Sequence, residues 1–196
     1  MPSYHDQQEA GRPGADMHDV GTTVQVREVA ESDLAAIHTI YAHHVAHGLG
    51  SFEEVAPTLE EMTRRCTAIR SSGLPYLVAT LENRVVGYAY AGFFHPRSAY
   101  RFCLEDSVYV SHDAHGRGVG SALLNALIGR CEAGPWRQLI ALVGDSENAG
   151  SIALHKRFGF EHKGVIEACG FKFGRWVDVV MMQRALGDGR DSLPER

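Results

Sequence analysis

The chain has 196 residues, of which 44% are hydrophobic and 22% charged, and its formal net charge at pH 7 is −5. This length suits one domain with a full hydrophobic core and is short for two. The sequence has no basic run to attract nucleic acid or an anionic membrane, its apolar runs are too short to span a bilayer, and its polar N-terminus lacks a secretion signal. We therefore expect a soluble, cytoplasmic protein that binds neither nucleic acid nor membranes.

Neither the cysteines nor the histidines form a pattern that indicates a metal site. The four cysteines are widely spaced beside apolar residues, without a Cys-x-x-Cys pair, so we interpret them as buried, reduced thiols. His43, His44 and His47 include an i, i+4 pair, but there is no His-Glu-x-x-His pattern and no evident third ligand. Imidazoles at a helix C-terminus are the better explanation, and we predict no metal.

Polar stretches flank the part of the chain that is predicted to fold. Residues 1–22 are typical of a disordered leader and residues 187–196 of a polar tail, which leaves 23–186 as the domain. Residues 23–30 predict a strand, after which Ser32 offers the N-cap of a first helix that ends near Gly48. Thr58 and Glu61 form a capping-box pattern at the start of a second helix, which stops near Gly73.

Three antiparallel strands are predicted next, and alternating helices and strands follow. Apolar residues 75–80 and 85–94 flank Glu82-Asn83-Arg84, which indicates a hairpin, and residues 100–110 return as a third strand. After a glycine-rich loop and its helix, we predict a strand at 138–143, a helix at 148–157, and strands at 160–170 and 175–184. This order predicts a mixed α/β fold, mainly antiparallel at first, with a strand-helix-strand crossover later.

The glycine-rich loop has the composition of an anion-binding site. Gly116, Gly118 and Gly120 let the backbone approach a ligand closely, and free amides at the start of the next helix favour phosphate. The spacing fits neither a Walker loop, which needs a lysine, nor a dinucleotide fingerprint. An ordinary glycine-rich turn before a helix remains an alternative at this point.

The same stretch resembles the acetyl-CoA signature of the GNAT superfamily of N-acetyltransferases, Gln/Arg-x-x-Gly-x-Gly/Ala. His115, Gly118 and Gly120 occupy its three defined places, and His115 departs from the usual Gln or Arg. The chain is most similar to the phosphinothricin N-acetyltransferase family, which includes enzymes that acetylate methionine sulfone and methionine sulfoximine. The segments that carry this resemblance are spread over residues 24–186: 51–53, 97–100, 105–121, 148–155 and 170–179.

The resemblance implies the GNAT fold, acetyl-CoA as co-substrate and direct transfer of acetyl to the α-amine of a small amino acid or analogue, in a commonly dimeric enzyme. It implies that Val108, Tyr109 and Val110 pair through their backbone with the pantetheine arm. Asn148 is expected to hold the pantetheine or to position the attacking group. The pyrophosphate is expected at His115, Gly116, Arg117, Gly118, Val119, Gly120 and Ser121.

Acetyl transfer needs a base, because an aliphatic α-amine is mostly ammonium at neutral pH. Glu105 matches the family's proposed general base, and a carboxylate at a strand end facing an apolar cleft can have a raised pKa. The alternative is that Glu105 pairs with Arg97 or Arg101. Asp106 faces the other side of the strand and is the weaker candidate. By resemblance, His155 donates a proton or hydrogen bond to the leaving thiolate, although the residue alone would favour a packing role.

The acceptor side is inferred from four residues. Arg97 and Tyr100 match family positions near the acceptor, and a guanidinium suits a carboxylate or phosphinate. Phe52 and Glu53 are expected to shape the pocket. Two alternatives remain open: the acceptor is a peptide N-terminus or polyamine, or the protein is a non-catalytic acetyl-CoA sensor, which the presence of Glu105 and the glycines disfavours.

Overall fold

The computed structural model describes residues 23–194, so the predicted leader at 1–22 and the last two residues of the predicted tail lie outside the described residues. Within this range, seven strands and four α-helices follow the predicted order, which confirms the mixed α/β class. The elements are β1 (Gln25–Glu28), α1 (Leu34–His47), α2 (Leu59–Ser71), β2 (Tyr76–Leu81), β3 (Arg84–Phe93), β4 (Cys103–Val110), α3 (Val119–Glu132), β5 (Gln138–Gly144), α4 (Ala149–Arg157), β6 (Glu161–Lys172) and β7 (Arg175–Ala185).

The strands form one sheet in the order β1-β2-β3-β4-β5-β7-β6. All neighbours are antiparallel except β4 and β5, which are parallel and joined through α3. This confirms the antiparallel first half and the strand-helix-strand crossover. The single parallel pair lies at the centre of the sheet, where the site forms.

Helices cover both faces of the sheet. One core joins α1 and α2 to residues such as Val78 and Tyr88, and the other joins α3 to residues such as Leu104 and Leu139. Each fully buried aliphatic side chain of this size contributes about 1.5–3 kcal/mol through removal from water. Because side chains alternate along a strand, Glu105 shares the α1 face with Tyr109, whose ring lies 5.1 Å from that of Tyr41 in α1.

Two predicted boundaries are wrong for local reasons. Ser32 does not cap the first helix, because a 3₁₀ turn at Glu31–Asp33 precedes α1 and the Asp33 carboxylate accepts the amide of Ala30 at 2.7 Å. The third predicted strand begins at Cys103 rather than Tyr100, because Ser98–Tyr100 form another 3₁₀ turn. In the first segment Ser32 and Asp33 favour turns, and the second segment closely follows Pro96, which interrupts a strand.

A predicted helix cap and a predicted hairpin turn are confirmed, although the capping box at Thr58 and Glu61 is only half formed. Thr58 caps α2, with Oγ1 accepting the amide of Glu61 at 3.2 Å, although the Glu61 carboxylate bonds Arg64 and Arg65 instead of returning to the cap. Glu82 and Asn83 join β2 to β3 with φ of 50° and 62°. Positive φ at both central residues defines the two-residue hairpin turn whose twist matches the strands.

Candidate active site

The central parallel strand pair separates to form a cleft. Cys103–Glu105 pairs with Gln138–Ile140, and no further β4–β5 pairing follows among the described residues. Beyond this point β4 stays paired with β3 as far as Val110, and β5 with β7 as far as Gly144. The space between them has a volume of about 800 Å³, within the usual range for ligand sites. Glu105 is the last paired residue of β4 and stands where the strands part.

Most of the predicted cofactor residues meet in the wall of this cleft. The exception is Arg117, which is exposed and lies outside the wall. Gly116 and Gly118 adopt φ of +74° and +79°, and apart from their chain neighbours no atom of the described residues lies within 4 Å of where a Cβ would stand. The predicted residues that line the cleft are Val108, Tyr109, Val110, His115, Gly116, Gly118, Val119, Gly120, Ser121 and Asn148.

The start of α3 gives the cleft an anion-binding character. Gly118 is the N-cap, so the first amides of the helix, from Val119 onward, have no intrahelical partner. These amides and the positive end of the helix dipole favour a phosphate. At the neighbouring helix, Asn148 caps α4 by accepting the Ser151 amide at 3.1 Å through its side-chain oxygen. With Oδ1 engaged in the cap, the side-chain nitrogen Nδ2 of Asn148 is the donor available to a ligand.

Two histidines bind the end of β4. The carbonyl of Val110 lies 2.8 Å from Nε2 of His44 and 3.2 Å from Nε2 of His115. This carbonyl is therefore engaged already and is not free for the pantetheine pairing that the resemblance implies for Val110. His115 stands where the signature usually has Gln or Arg. Its Nε2 is hydrogen-bonded to the end of β4, the strand that precedes the glycine loop.

A stack of imidazoles lies at the end of α1. The ring of His43 stacks on those of His47 and His112, each at 4.5 Å between centroids. Among residues 23–194, no group of three or more His, Cys, Asp or Glu side chains is placed to hold a metal ion. The stack joins α1 to the turn before the glycine loop.

Glu105 has the environment of a general base. Its side chain is half-buried and makes no hydrogen bond or ion pair with any other described residue, so the alternative that it pairs with Arg97 or Arg101 is wrong. Burial, and secondarily the neighbouring charge of Asp106, raises the pKa of Glu105 to about 7. A base with a pKa near the operating pH combines availability with proton affinity.

Asp106 and His155 form a buried pair on the opposite face of β4. Asp106 is 7% exposed and His155 4%, and Oδ2 of Asp106 lies 3.0 Å from Nε2 of His155. The other ring nitrogen, Nδ1, lies 2.7 Å from the carbonyl of Ser151. His155 does line the cleft, but both of its nitrogens are engaged. Neither is left over in this arrangement for the proton donation to the thiolate that the resemblance implies.

The four predicted acceptor residues lie outside the wall of the cleft. Phe52 packs on Gly170 of β6, where an added Cβ would stand 2.3 Å from the phenyl ring. Glu53 pairs with Arg65 at 2.6 Å and accepts the hydroxyl of Tyr41 at 3.1 Å. The other two, Arg97 and Tyr100, are exposed in and around the 3₁₀ turn that follows β3.

Sequence reasoning missed Lys172, which joins the loop after α1 to β6. This lysine is 2% exposed, and Nζ donates to the carbonyls of Gly48 at 2.9 Å and Ser51 at 2.7 Å. Its neighbours Phe171 and Phe173 are more than half exposed. Alternation along β6 turns Phe171 outward and Lys172 inward, whereas Phe173 lies in the turn after the strand with φ of 51°. This alternation is the signal that could have revealed the lysine.

A wall of tyrosines on the Glu105 face was also missed. Tyr88 stacks on Tyr109, and Tyr76 on Tyr90, both at 5.1 Å between ring centroids. Beside them lies a second hollow of about 280 Å³. The period of two that relates Glu105 to Tyr109 could have placed that ring on the same face.

Comparison with known proteins identifies a matching family and several named relatives. Residues 26–181 match a family model described as an acetyltransferase (GNAT) domain. Over 170 residues the chain is 58% identical to a phosphinothricin N-acetyltransferase from Alcaligenes faecalis, covering 87% of this chain and 86% of that protein. It is 36% identical to an L-methionine sulfoximine/L-methionine sulfone acetyltransferase from Pseudomonas paraeruginosa, covering 87% and 99%.

A solved structure has the same fold. The GNAT superfamily phosphinothricin acetyltransferase from Sinorhizobium meliloti, solved with acetyl-CoA, superimposes with a TM-score of 0.86 at 45% identity, covering 89% of this chain and 94% of that one. The family model and the named relatives show that the chain is an acetyltransferase, a class that the separated central strands and the glycine loop at a helix start suit. The chain belongs to the GNAT acetyltransferase family, which confirms the predicted fold. No helix within residues 23–194 could span a membrane.

Proposed function

We propose that this protein transfers acetyl from acetyl-CoA to the α-amine of a small amino acid or analogue, of the phosphinothricin, methionine sulfone or methionine sulfoximine type. One observation carries the proposal: Glu105, with a pKa of about 7, stands unpaired where the cleft begins. The names of the relatives support this acceptor class. The 280 Å³ hollow on the same face is of a size for an amino-acid side chain.

The cleft suits acetyl-CoA from end to end. The open space above Gly116 and Gly118 and the free amides of α3 would hold the pyrophosphate. The edge of β4 beyond Glu105, which β5 leaves without a strand partner, would pair with the amides of the pantetheine arm. The thioester then lies near Glu105, where the two strands part.

Glu105 starts the reaction by taking a proton from the acceptor ammonium, directly or through a water molecule. The freed lone pair attacks the thioester carbonyl, a C–N bond forms, and the C–S bond breaks with its electron pair going to sulfur. None of the four cysteines lines the cleft, which favours direct transfer over a thiol-bound acetyl intermediate. Below pH 7 Glu105 gains a proton, so activity falls as the pH decreases through this value.

Thiol release by the purified protein tests the proposed function. Acetyl-CoA is offered with L-phosphinothricin, L-methionine sulfone, L-methionine sulfoximine, a short peptide amine or a polyamine. We expect turnover with at least one of the first three compounds and little with the others. Turnover confined to the peptide or polyamine would contradict the acceptor class, and acetyl-CoA binding without turnover on any compound would indicate a sensor.

Arg97→Ala is expected to raise the acceptor KM about 10- to 100-fold with little change in the KM for acetyl-CoA. The exposed guanidinium would form charge-assisted hydrogen bonds with the acceptor's acidic group, each contributing about 1.5–3 kcal/mol. Arg97→Lys keeps the charge without the planar fork and should fall between. Arg70→Ala, an exposed change on α2, is the control. Equal acceptor KM values in all four proteins would remove Arg97 from the acceptor site.

We also propose a homodimer that uses the β6–β7 hairpin. β6 is an edge strand, and Phe171 and Trp176 are 57% and 65% exposed with rings 5.2 Å apart. A long, exposed apolar edge favours pairing with a second chain.

The double substitution Phe171→Ser/Trp176→Ser should halve the mass measured by light scattering. The control is Leu193→Ser, which changes an apolar side chain that is 91% exposed and lies outside the hairpin. It should leave the mass unchanged. A mass unaffected by the double change would place the interface elsewhere, and a monomeric parent would refute the dimer.

The cysteines support a cytoplasmic location. All four are free; Cys66 and Cys131 are buried and Cys103 is partly buried, whereas Cys169 is exposed, so the expectation of four buried thiols is wrong for Cys169. Unpaired thiols are typical of a reducing compartment, so we propose that the protein acts in the cytoplasm.

A further inference from the structure

The buried pair of Asp106 and His155 is a second charged feature beside the proposed base. Asp106 follows Glu105 directly in β4 but faces α3 and α4, where His155 occupies the last turn of α4. The pair joins residues 49 positions apart and is almost fully buried. Burying a charged pair costs free energy that a packed apolar pair would not, so a role beyond packing is worth testing.

The hydrogen bonds of His155 restrict its protonation states. A carbonyl oxygen only accepts, so Nδ1 carries a proton toward Ser151, 2.7 Å away. When the Asp106 carboxylate is ionised it too only accepts, and Nε2, 3.0 Å away, then carries a proton toward it. In that state both nitrogens donate and the ring is an imidazolium.

Among the described residues, Asp106 is the acidic side chain with which the ring of His155 pairs. On β4 the charged groups are Asp106 and, on the far face, Glu105. On α3 the thiol of Cys131 has a pKa that burial and Asp106 raise to about 12, so it stays neutral. The ring of Phe160 meets the imidazole edge-on at 5.0 Å. Burial alone would lower the pKa of His155, but the hydrogen bond and charge of Asp106 outweigh it, and the pKa is raised.

We propose that Asp106 is a positioning residue that keeps His155 doubly protonated at neutral pH, so that a fixed positive charge stands in the cleft wall where the thiolate departs. This inference rests on the proposed acetyl transfer. When the C–S bond breaks, its electron pair goes to the coenzyme sulfur, and the nearby imidazolium stabilises that negative charge while retaining both protons. Asp106 also lines the cleft, and its charge contributes secondarily to the raised pKa of Glu105, but in this proposal its part in the departure of the thiolate is exerted through His155.

Nitrogen NMR of the histidine side chains tests the protonation directly. In the parent protein at pH 7, we expect His155 to show two protonated nitrogens. In Asp106→Asn, burial without the carboxylate should leave a neutral ring protonated only at Nδ1, and kcat should fall about 10- to 100-fold with acetyl-CoA affinity retained. Asp33→Asn is the matched control. Asp33 is also buried and is paired with a cation, Arg27, at 2.6 Å, but this pair lies beside the edge strand β1.

A double-mutant cycle separates this role from simple structural support. If Asp106 acts through His155, adding Asp106→Asn to His155→Gln should lower kcat little further. A neutral His155 in the parent protein, or a kcat loss from Asp106→Asn that is equally large without the histidine, would overturn the proposal. The spectrum does not depend on turnover, so a failure of the proposed function would be seen separately, in the thiol-release assay.

Discussion

Glu105→Gln is expected to lower kcat about 10²- to 10⁴-fold, the usual contribution of a positioned base. The amide has nearly the shape of the carboxylate but cannot take a proton from the acceptor ammonium. Because Glu105 has no hydrogen-bond partner among the described residues, the change breaks no protein contact. Steady-state thiol release gives kcat, and calorimetry should show an almost unchanged affinity for acetyl-CoA.

The control for this change is Glu60→Gln, which makes the same substitution at an exposed position of α2. It should leave kcat and acetyl-CoA affinity as they are. If Glu105→Gln kept the parent's turnover, Glu105 would not be the base, whatever its pKa.

Gly118→Ala is expected to weaken acetyl-CoA binding about 10-fold or more. Gly118 has φ of +79°, and an L-residue in the left-handed region costs about 1–2 kcal/mol. The loop would escape this cost by changing the backbone that presents the first amides of α3, and the added methyl group would enter space proposed for phosphate. Calorimetric titration with acetyl-CoA measures the loss, and kcat at saturation should change less.

Gly73→Ala is a closely matched control. Gly73 has φ of +74° and, like Gly118, nothing within 4 Å of its missing Cβ, but it ends α2, away from the cleft wall. It should lower the melting temperature by a similar amount and leave acetyl-CoA affinity unchanged. Equal losses of affinity in both variants would mean that the glycine loop has no special role in binding.

Features set by nearby residues could be predicted from the sequence. The Thr58 cap, the Glu82–Asn83 turn and the order of strands and helices each depend on a short segment, and the structure has them. The same holds for the glycine loop and its helix. Family resemblance placed Glu105, and the separation of β4 from β5 explains why a carboxylate at that position meets a cleft.

Contacts between distant residues could not be predicted in this way. Lys172 bonds carbonyls more than 120 positions away, and the partner of Asp106 lies 49 positions further along the chain, in helix α4. Alternation placed Asp106 on the face opposite Glu105 correctly but does not show what fills that face. The positions of Phe52 and Arg97 outside the cleft wall likewise depend on how loops pack, which spacing along the chain does not determine.

The pH dependence of kcat/KM for the acceptor, at fixed saturating acetyl-CoA, tests the central claim that Glu105 takes the proton. For the parent protein we predict an acidic limb near pH 7, where Glu105 becomes protonated, with activity decreasing toward lower pH. The residual activity of Glu105→Gln should lack that limb while keeping any limb that belongs to the acceptor amine. A limb near pH 7 that persisted unchanged in Glu105→Gln would contradict the account, because another group would then hold the essential proton site.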